Sequence, residues 1–476
     1  MKENSRFYSS LGLLILLNAV VKPLWVFAID RQVQIEVGAA EYGTYFAIFN
    51  LSIVLSFLLD WGLTNFFNRQ LAISRENFAR DAGTLVILRL VAAVIYTLVI
   101  CLIAFVSGIR RWDILLSVVL IQVLTSMFVF FRAIITSQQW FRIDAWLSIL
   151  DKLLMIILCG SFLYLPAFVG SITIERFLIL QVVCTSIANI ATLATLARKK
   201  FYFSFKKWWP EKYVFKTAMP FAIILLLMAF HARVDGFLLE RISGAEEAGK
   251  YAASYRLLDA SNTFGYLFAS FLLPFIARNW AEKKNITEVA LGVRHLLMLM
   301  AITISALCIF LAPWIQDLLY HHTDPGYISV LQWCLPSLLG YSLVQVYGTV
   351  LTATGRVQDF SYIMLCAVLI NLALNIILIP LYGALGSCIA ALASQGMAGI
   401  TTMVYSNIKL SLRIHLRSWL IYIFIAISLS VFLYVSNELE LNRWLTVFST
   451  GSIALALGLA TRIIDIKTWL NSVREN

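Results

Sequence analysis

About fourteen runs of roughly 20 mostly apolar residues follow one another along this 476-residue chain. That pattern leaves it one kind of fold. A helix of that length rises about 30 Å, which is the thickness of the hydrocarbon layer of a bilayer. In hydrocarbon every backbone polar group has to bond internally, so only helices or closed barrels span it. The runs are continuous and lack the alternation of barrel strands, so they predict helices. They are Ser10–Ile29, Gly43–Leu63, Gly83–Val106, Ile114–Ile135, Ala145–Val169, Phe177–Leu196, Ala218–Leu239, Tyr251–Phe275, Leu296–Ile315, Ile328–Leu351, Phe360–Ile379, Ala384–Tyr405, Trp419–Val435 and Trp444–Leu459. Composition agrees: 61% of residues are hydrophobic and 13% charged, against about 45–50% and 25% in soluble domains. A water-soluble enzyme is excluded, and the fold class is an all-α polytopic membrane protein.

The 37 basic residues exceed the 26 acidic ones, and their placement orients the chain. With the N-terminus in the cytoplasm, inner segments carry about 23 Lys and Arg and outer loops about 7. Both termini are therefore expected in the cytoplasm, with Arg110–Arg111 as the one local dissent. The stretch Ala197–Lys216, basic and aromatic, is expected to lie on the inner membrane surface against anionic lipids. The basic excess is read as lipid anchoring, with no nucleic-acid partner. The N-terminal run is long and interrupted by Asn18, Lys22 and Pro23, so it reads as a retained span rather than a cleaved signal. Seven cysteines sit singly inside apolar runs, with no metal or disulfide spacing, and read as small core residues.

An internal repeat organises the chain. Gly38-x-x-Glu41-x-Gly43-x-Tyr45 precedes the second span, and Gly244-x-x-Glu247-x-Gly249-x-Tyr251 precedes the eighth. An even number of spans separates the copies, so both halves insert the same way up, as a parallel pseudo-repeat. The expected division is a six-helix lobe over residues 1–197, a basic cytoplasmic linker over 198–217, a second six-helix lobe over 218–410, and two additional helices with a cytoplasmic tail over 411–476.

Two segments resemble a known family. Leu351-Thr-Ala-Thr-Gly355-Arg356, followed by Asn371, Asn375, Pro380, Gly383 and Gly386, is similar to the tenth-to-twelfth-helix signature of polysaccharide-repeat flippases. These belong to the multidrug/oligosaccharidyl-lipid/polysaccharide exporter superfamily. The segment Ala232–Asp259 resembles that family's seventh-to-eighth-helix signature. With the span count and the repeat, the resemblance covers nearly the whole chain. It implies a fold like that of the multidrug exporters (MATE-like), with two six-helix lobes around a central cavity and alternating access. It also implies an undecaprenyl-pyrophosphate-linked glycan as cargo, a bacterial cytoplasmic (inner) membrane, and a polysaccharide polymerase and assembly proteins as partners. The glycan would serve O-antigen, capsule or exopolysaccharide synthesis. Two closing spans occur in lipid II flippases of the superfamily, where they form a groove for the lipid tail.

Charges inside spans are functional suspects, because each costs about 2.5–3.5 kcal/mol on insertion scales. In the first half they are Lys22, Asp60, Arg89, Arg132, Asp151 and Lys152; in the second, His231, Arg233, Asp235, Arg256, Asp259 and Arg294. Asp60, Arg89, Arg132 and Arg294 lie near inner ends, where snorkelling or surface pairing explains them. Lys22 lies past the middle of the first span, before a helix-loosening proline, and is expected to face water or an anion. A diphosphate is such an anion. The substrate-binding expectation is therefore a cationic cavity of Lys22, Arg233 and Arg256 shared by the two halves. Its alternatives are a structural salt bridge for Lys22 and a local pair with Asp259 for Arg256, three residues on. His231 and Asp235, four apart, share a helix face. With Asp259 they are candidates for H⁺ or Na⁺ coupling, or for plain charge balance. No other cofactor is expected.

Asn18, Asn50, Gln345, Asn371 and Asn375 suit sugar hydroxyls or, more commonly, helix-to-helix hydrogen bonds. His321–His322 with Asp317 and Asp324 matches no metal-ligand spacing and reads as a solvated loop, so no metal is expected. Two rival functions follow from the same residues. A membrane glycan polymerase or ligase would need a sizeable outer loop, which the short outer connections do not supply. A multidrug exporter of the same superfamily would favour cations, which three candidate cavity cations oppose.

Overall fold

The computed structural model describes residues 13–463 except 15, 19, 62–77, 139, 166–171, 202, 204–211, 322–323 and 413–415. Among the described residues, thirteen helices are long and apolar enough to cross a membrane. The first expected span lies partly outside them. From residue 20 onward it is helical, widens into a π-turn at Trp25–Asp30 and continues as α1 (Arg31–Val37). Pro23, which has no backbone N–H to donate, stands just before the wide turn. The helix outruns its predicted end at Ile29, because Arg31, Gln32, Gln34 and Glu36 end the apolar window without breaking the helix.

The chain divides into two compact units, residues 1–249 and 250–476. The first holds α2 (Ala39–Leu55), continued by the turn Phe57–Asp60, then α3 (Phe78–Val106), α4 (Trp112–Ser137), α5 (Phe141–Tyr164), α6 (Ile174–Arg198) and α7 (Lys212–Ser243). It also takes in the first turn of α8 (Ala245–Ala281). Helix α6 packs on α4 and α5, and α7 packs on α2. Near one end Phe130, Phe131, Ile134, Leu147 and Leu196 form a dry cluster against which Phe201 and Phe203 lie. That anchors the start of the basic-aromatic stretch; its later residues, up to Lys216, lie outside the described side chains.

The second unit continues α8, a 37-residue helix with Pro274 inside it. There follow α9 (Thr287–Phe310), a short α10 (Ala312–Tyr320), α11 (Pro325–Cys334), α12 (Leu338–Ala353), α13 (Val357–Tyr382), α14 (Ala384–Lys409), α15 (Leu416–Glu438) and α16 (Arg443–Ala460). The tenth expected span is two helices joined by a 3₁₀ turn at Leu335–Ser337, where Pro336 interrupts the backbone ladder.

Lipid tails are as apolar as leucine, so helices in a membrane associate through close backbone approach and buried polar bonds. Helix α14 shows both. A Cβ on Gly340 would strike the backbone of Gln395 and Gly396, and one on Gly386 that of Leu378. Asn371 donates to Ser394 Oγ (3.2 Å), Asn375 to the Asn371 carbonyl (2.9 Å), and Ser387 to Asn375 Oδ1 (3.0 Å). The reading of Asn371 and Asn375 as helix glue holds. Of the cysteines, Cys159, Cys184, Cys308, Cys334 and Cys388 are buried, but Cys366 is exposed on α13. The core reading fails there because a lipid-facing helix surface is as apolar as a core.

Candidate functional site

The repeat motif places its glycines where nothing larger fits. Gly38 (φ 82°) ends α1 and opens α2; Gly244 (φ 93°) ends α7 and opens α8. Both occupy the left-handed region that favours glycine. Five residues later in each copy, at Gly43 and Gly249, the two motifs meet. A Cβ on Gly43 would overlap the carbonyl oxygen of Ala245, and one on Gly249 that of Ala39. Gln34 Nε2 donates to the Gly249 carbonyl (3.0 Å) beside this contact. Further along, Gly236 of α7 sits against Phe46 and Asn50 of α2. The repeat is therefore a packing device as well as a turn.

Beneath it lies an aromatic stack. Trp25 lies parallel to Phe177 at 6.0 Å, and Tyr45 meets the same ring edge-on at 5.8 Å. Tyr42 donates to the buried Asp30 carboxylate (2.9 Å). These groups hold the helix that carries Lys22.

The charged residues of the first unit mostly find partners. Arg89, 3% exposed, pairs with Asp60, donates to Ser126 Oγ (2.7 Å) and lies over Phe130 at 4.8 Å. Arg132 bonds both oxygens of Asp144 (2.7 and 3.0 Å). Lys152 pairs with Asp151 (3.3 Å) and lies over Trp25 at 4.9 Å. Of the two readings of Arg89, snorkelling fails and pairing holds, as a buried pair: it turns inward, toward a carboxylate 29 residues away in the chain. Lys22 differs from these three. It is exposed, and among the described residues it makes no ion pair. Arg132, Asp151 and Lys152 are its charged neighbours. Three cations therefore face two carboxylates, Asp144 and Asp151, and the group carries net positive charge. Asn18, a turn before Lys22, donates to Ser148 Oγ (2.8 Å) and ties the same helix to α5.

In α7 the structure places His231 and Asp235 on the buried face, each 2% exposed, and Arg233 half-buried on another. That is the arrangement their spacing predicts. In α8, Arg256 and Asp259 are both half-buried.

The dissenting Arg111 is explained by its surroundings. It forms bonds with Glu41, Asp113 and Glu175, one from the first turn of each of α2, α4 and α6. Hydrogen bonding to Asp113, and secondarily to Glu41, raises its already high pKa further. Three carboxylates thus balance its charge locally. It is a third exposed, where such pairs contribute about 0–1 kcal/mol each. Arg111→Ala is expected to lower stability by about 1 kcal/mol, and by less in high salt. Thermal melts in detergent at two salt concentrations check this. The outer histidine loop is only partly described: His321 caps α10 in the left-handed region, and His322 lies outside the described residues.

Comparison with known proteins identifies the architecture. The structure matches the lipid II flippase MurJ in its inward closed conformation with a TM-score of 0.72 and 16% identity, covering 96% of this chain and 100% of that one. It matches a MATE transporter solved in complex with MaL6 at 0.64 and 14%, covering 85% and 96%. It also matches a transporter of the same superfamily from Pyrococcus furiosus at 0.65 and 15%, covering 85% and 95%. The fold is that of the multidrug/oligosaccharidyl-lipid/polysaccharide superfamily of membrane transporters. The sequence profile of the family described as "Polysaccharide biosynthesis protein" matches residues 9–280, and that described as "MatE" matches 220–377. The chain belongs to the polysaccharide biosynthesis protein family. No curated protein sequence matches it.

Proposed function

We propose that this protein is a flippase that carries an undecaprenyl-diphosphate-linked oligosaccharide from the inner to the outer leaflet of a bacterial cytoplasmic membrane by alternating access. Both termini face the cytoplasm in this reading. The glycan serves O-antigen, capsule or exopolysaccharide assembly, with a polymerase downstream. The observation that carries the reading is Lys22. It is an intramembrane cation without a described carboxylate partner, in a group of three cations against two carboxylates. A lysine at that depth is stabilised by water and an anion, and a diphosphate presents a compact, strongly hydrated one. Arg233 and Arg256 are the further phosphate ligands, suited by their planar donors. His231, Asp235 and Asp259 take or release the coupling H⁺ or Na⁺.

The test is transport of a labelled polyprenyl-diphosphate oligosaccharide in proteoliposomes, read by its accessibility on the far leaflet. Lys22→Ala and Arg256→Ala are each expected to slow transport at least tenfold while protein level and melting temperature stay near wild type. Wild-type rates in both variants would remove these residues from the mechanism. Collapsing the proton and sodium gradients separately tests the coupling role, and indifference to both would eliminate it. Efflux of cationic dyes with no glycan transport would favour the multidrug reading instead.

A further inference from the structure

Arg294 lies in α9, seven residues past its first residue, and is 1% exposed. Helical rise puts it about 10 Å along the helix. Guanidinium stays charged in any protein environment, so a full positive charge is buried here. Its Nη1 donates to the Tyr347 hydroxyl of α12 (3.1 Å). The Tyr422 ring of α15 lies 5.9 Å away, and its hydroxyl also faces the guanidinium. Nε and Nη2 have no acceptor among the described residues, and no described carboxylate pairs with the group. Nearby polar groups add more donors. The Tyr347 hydroxyl also faces Asn407 of α14, whose Nδ2 is buried without an acceptor, and Ser406 Oγ beside it in the chain is likewise unsatisfied. His295 Nδ1 shares a hydrogen bond with the Tyr422 hydroxyl (2.7 Å).

The first half of the chain offers an internal control. Counted from Gly38 and Gly244, Arg294 falls one residue from the position that corresponds to Arg89. Arg89 is equally buried but satisfied by Asp60 and Ser126. At the position that corresponds to Asp60 the second half has Tyr266. The second copy thus retains the buried cation and lacks the carboxylate. A cluster rich in donors and short of acceptors is what an oxyanion completes, and the planar guanidinium fork matches the geometry of phosphate.

The surroundings indicate where that anion comes from. Helix α15 turns a largely apolar face outward, with Leu420, Ile423, Phe424 and Ile427 exposed. On α9, His295, next to Arg294 in the chain and bonded to the Tyr422 hydroxyl, is half-exposed. The seam of contact between α9 and α15 therefore reaches the outer surface of the helices at His295. We propose that Arg294, with Tyr347, Tyr422 and Asn407, binds the phosphate oxyanion of a membrane lipid entering along this seam. Lipid retention is measured without transport, so it stands or falls apart from the flippase reading.

The test uses the full-length protein, purified in detergent and delipidated, by native mass spectrometry and thermal shift. Three probes are titrated: phosphatidylglycerol, undecaprenyl diphosphate and inorganic phosphate. Wild type is expected to retain at least one of the two lipids and to melt higher in its presence. Arg294→Gln is expected to weaken that retention at least tenfold and abolish the shift, with Arg294→Lys falling between. Should Arg294→Gln fail to fold, Tyr422→Phe decides: it removes a hydroxyl without stranding a charge and is expected to weaken retention about threefold. Preference for phosphatidylglycerol assigns a resident lipid, and preference for undecaprenyl diphosphate assigns the cargo class. Equal lipid retention in wild type and the folded variants, or binding of inorganic phosphate alone, overturns the proposal.

Discussion

Gly43→Val is expected to leave little folded protein in the membrane and to lower the melting temperature of what remains by many degrees. A Cβ at Gly43 would occupy the same space as the Ala245 carbonyl oxygen and crowd the Gly249 backbone nitrogen. Overpacking against side chains costs about 1–3 kcal/mol, because side chains can yield. Here the obstacle is backbone at the start of a helix, so the cost exceeds that range. The same change would ordinarily have the opposite sign. Glycine inside a helix is about 0.5–1 kcal/mol worse than alanine, so removing one without a steric conflict should stabilise. Gly249→Ala, which meets the Ala39 backbone, is expected to follow Gly43→Val. Gly451→Ala in α16 has nothing within 4 Å and is expected to be neutral or slightly stabilising. Membrane protein level and fluorescence-detected melting in detergent read all three. A Gly43→Val protein with wild-type level and melting temperature would show that the two motif copies do not hold this contact.

The repeat also marks where sequence reasoning stops. The two copies and their spacing were legible, because turn residues are properties of the chain. That the copies pack on each other through their second glycines was not, because a close approach between residues about two hundred positions apart leaves no local pattern. The intramembrane charges divide in the same way. Asn371 and Asn375 were legible as helix glue, since four-residue spacing fixes a shared face. His231 and Asp235 were legible on one face for the same reason. In the sequence Arg89 and Arg294 read as snorkelling or surface pairing; Arg89 does pair, but both are buried, because distance to a helix end says how far a side chain could reach but not which way it turns. The Arg132–Asp144 pair needed the hairpin between α4 and α5, and Arg111 needed three helix starts brought together. Lys22 was the most legible suspect, because its depth and the proline after it are both local.

Asp60→Ala is the second large effect expected, and it follows from how Arg89 is housed. The guanidinium is 3% exposed, and its charge is balanced by Asp60 at the end of the second span. Removing one partner of a buried pair leaves the other charged in a poor dielectric, at about 3–5 kcal/mol. Asp60 is itself a quarter exposed, so water can partly replace it, which points to the lower end of that range. Among the described contacts Ser126 and the Phe130 ring remain, and these two carry no compensating charge. The double variant Asp60→Ala, Arg89→Met is expected to recover most of the loss, because a methionine fills the site without needing a counter-ion. A double-mutant cycle on melting temperature isolates the pair from the packing of either side chain. Asp60→Ala alone at wild-type stability, or a double variant no better than that single change, would mean that Arg89 is stabilised by something other than this carboxylate. The contrast with Arg294 makes the cycle informative beyond this pair. Arg294→Met removes a buried charge with no described carboxylate, so its effect on delipidated protein measures the burial of a lone guanidinium, against which the contribution of Asp60 can be set.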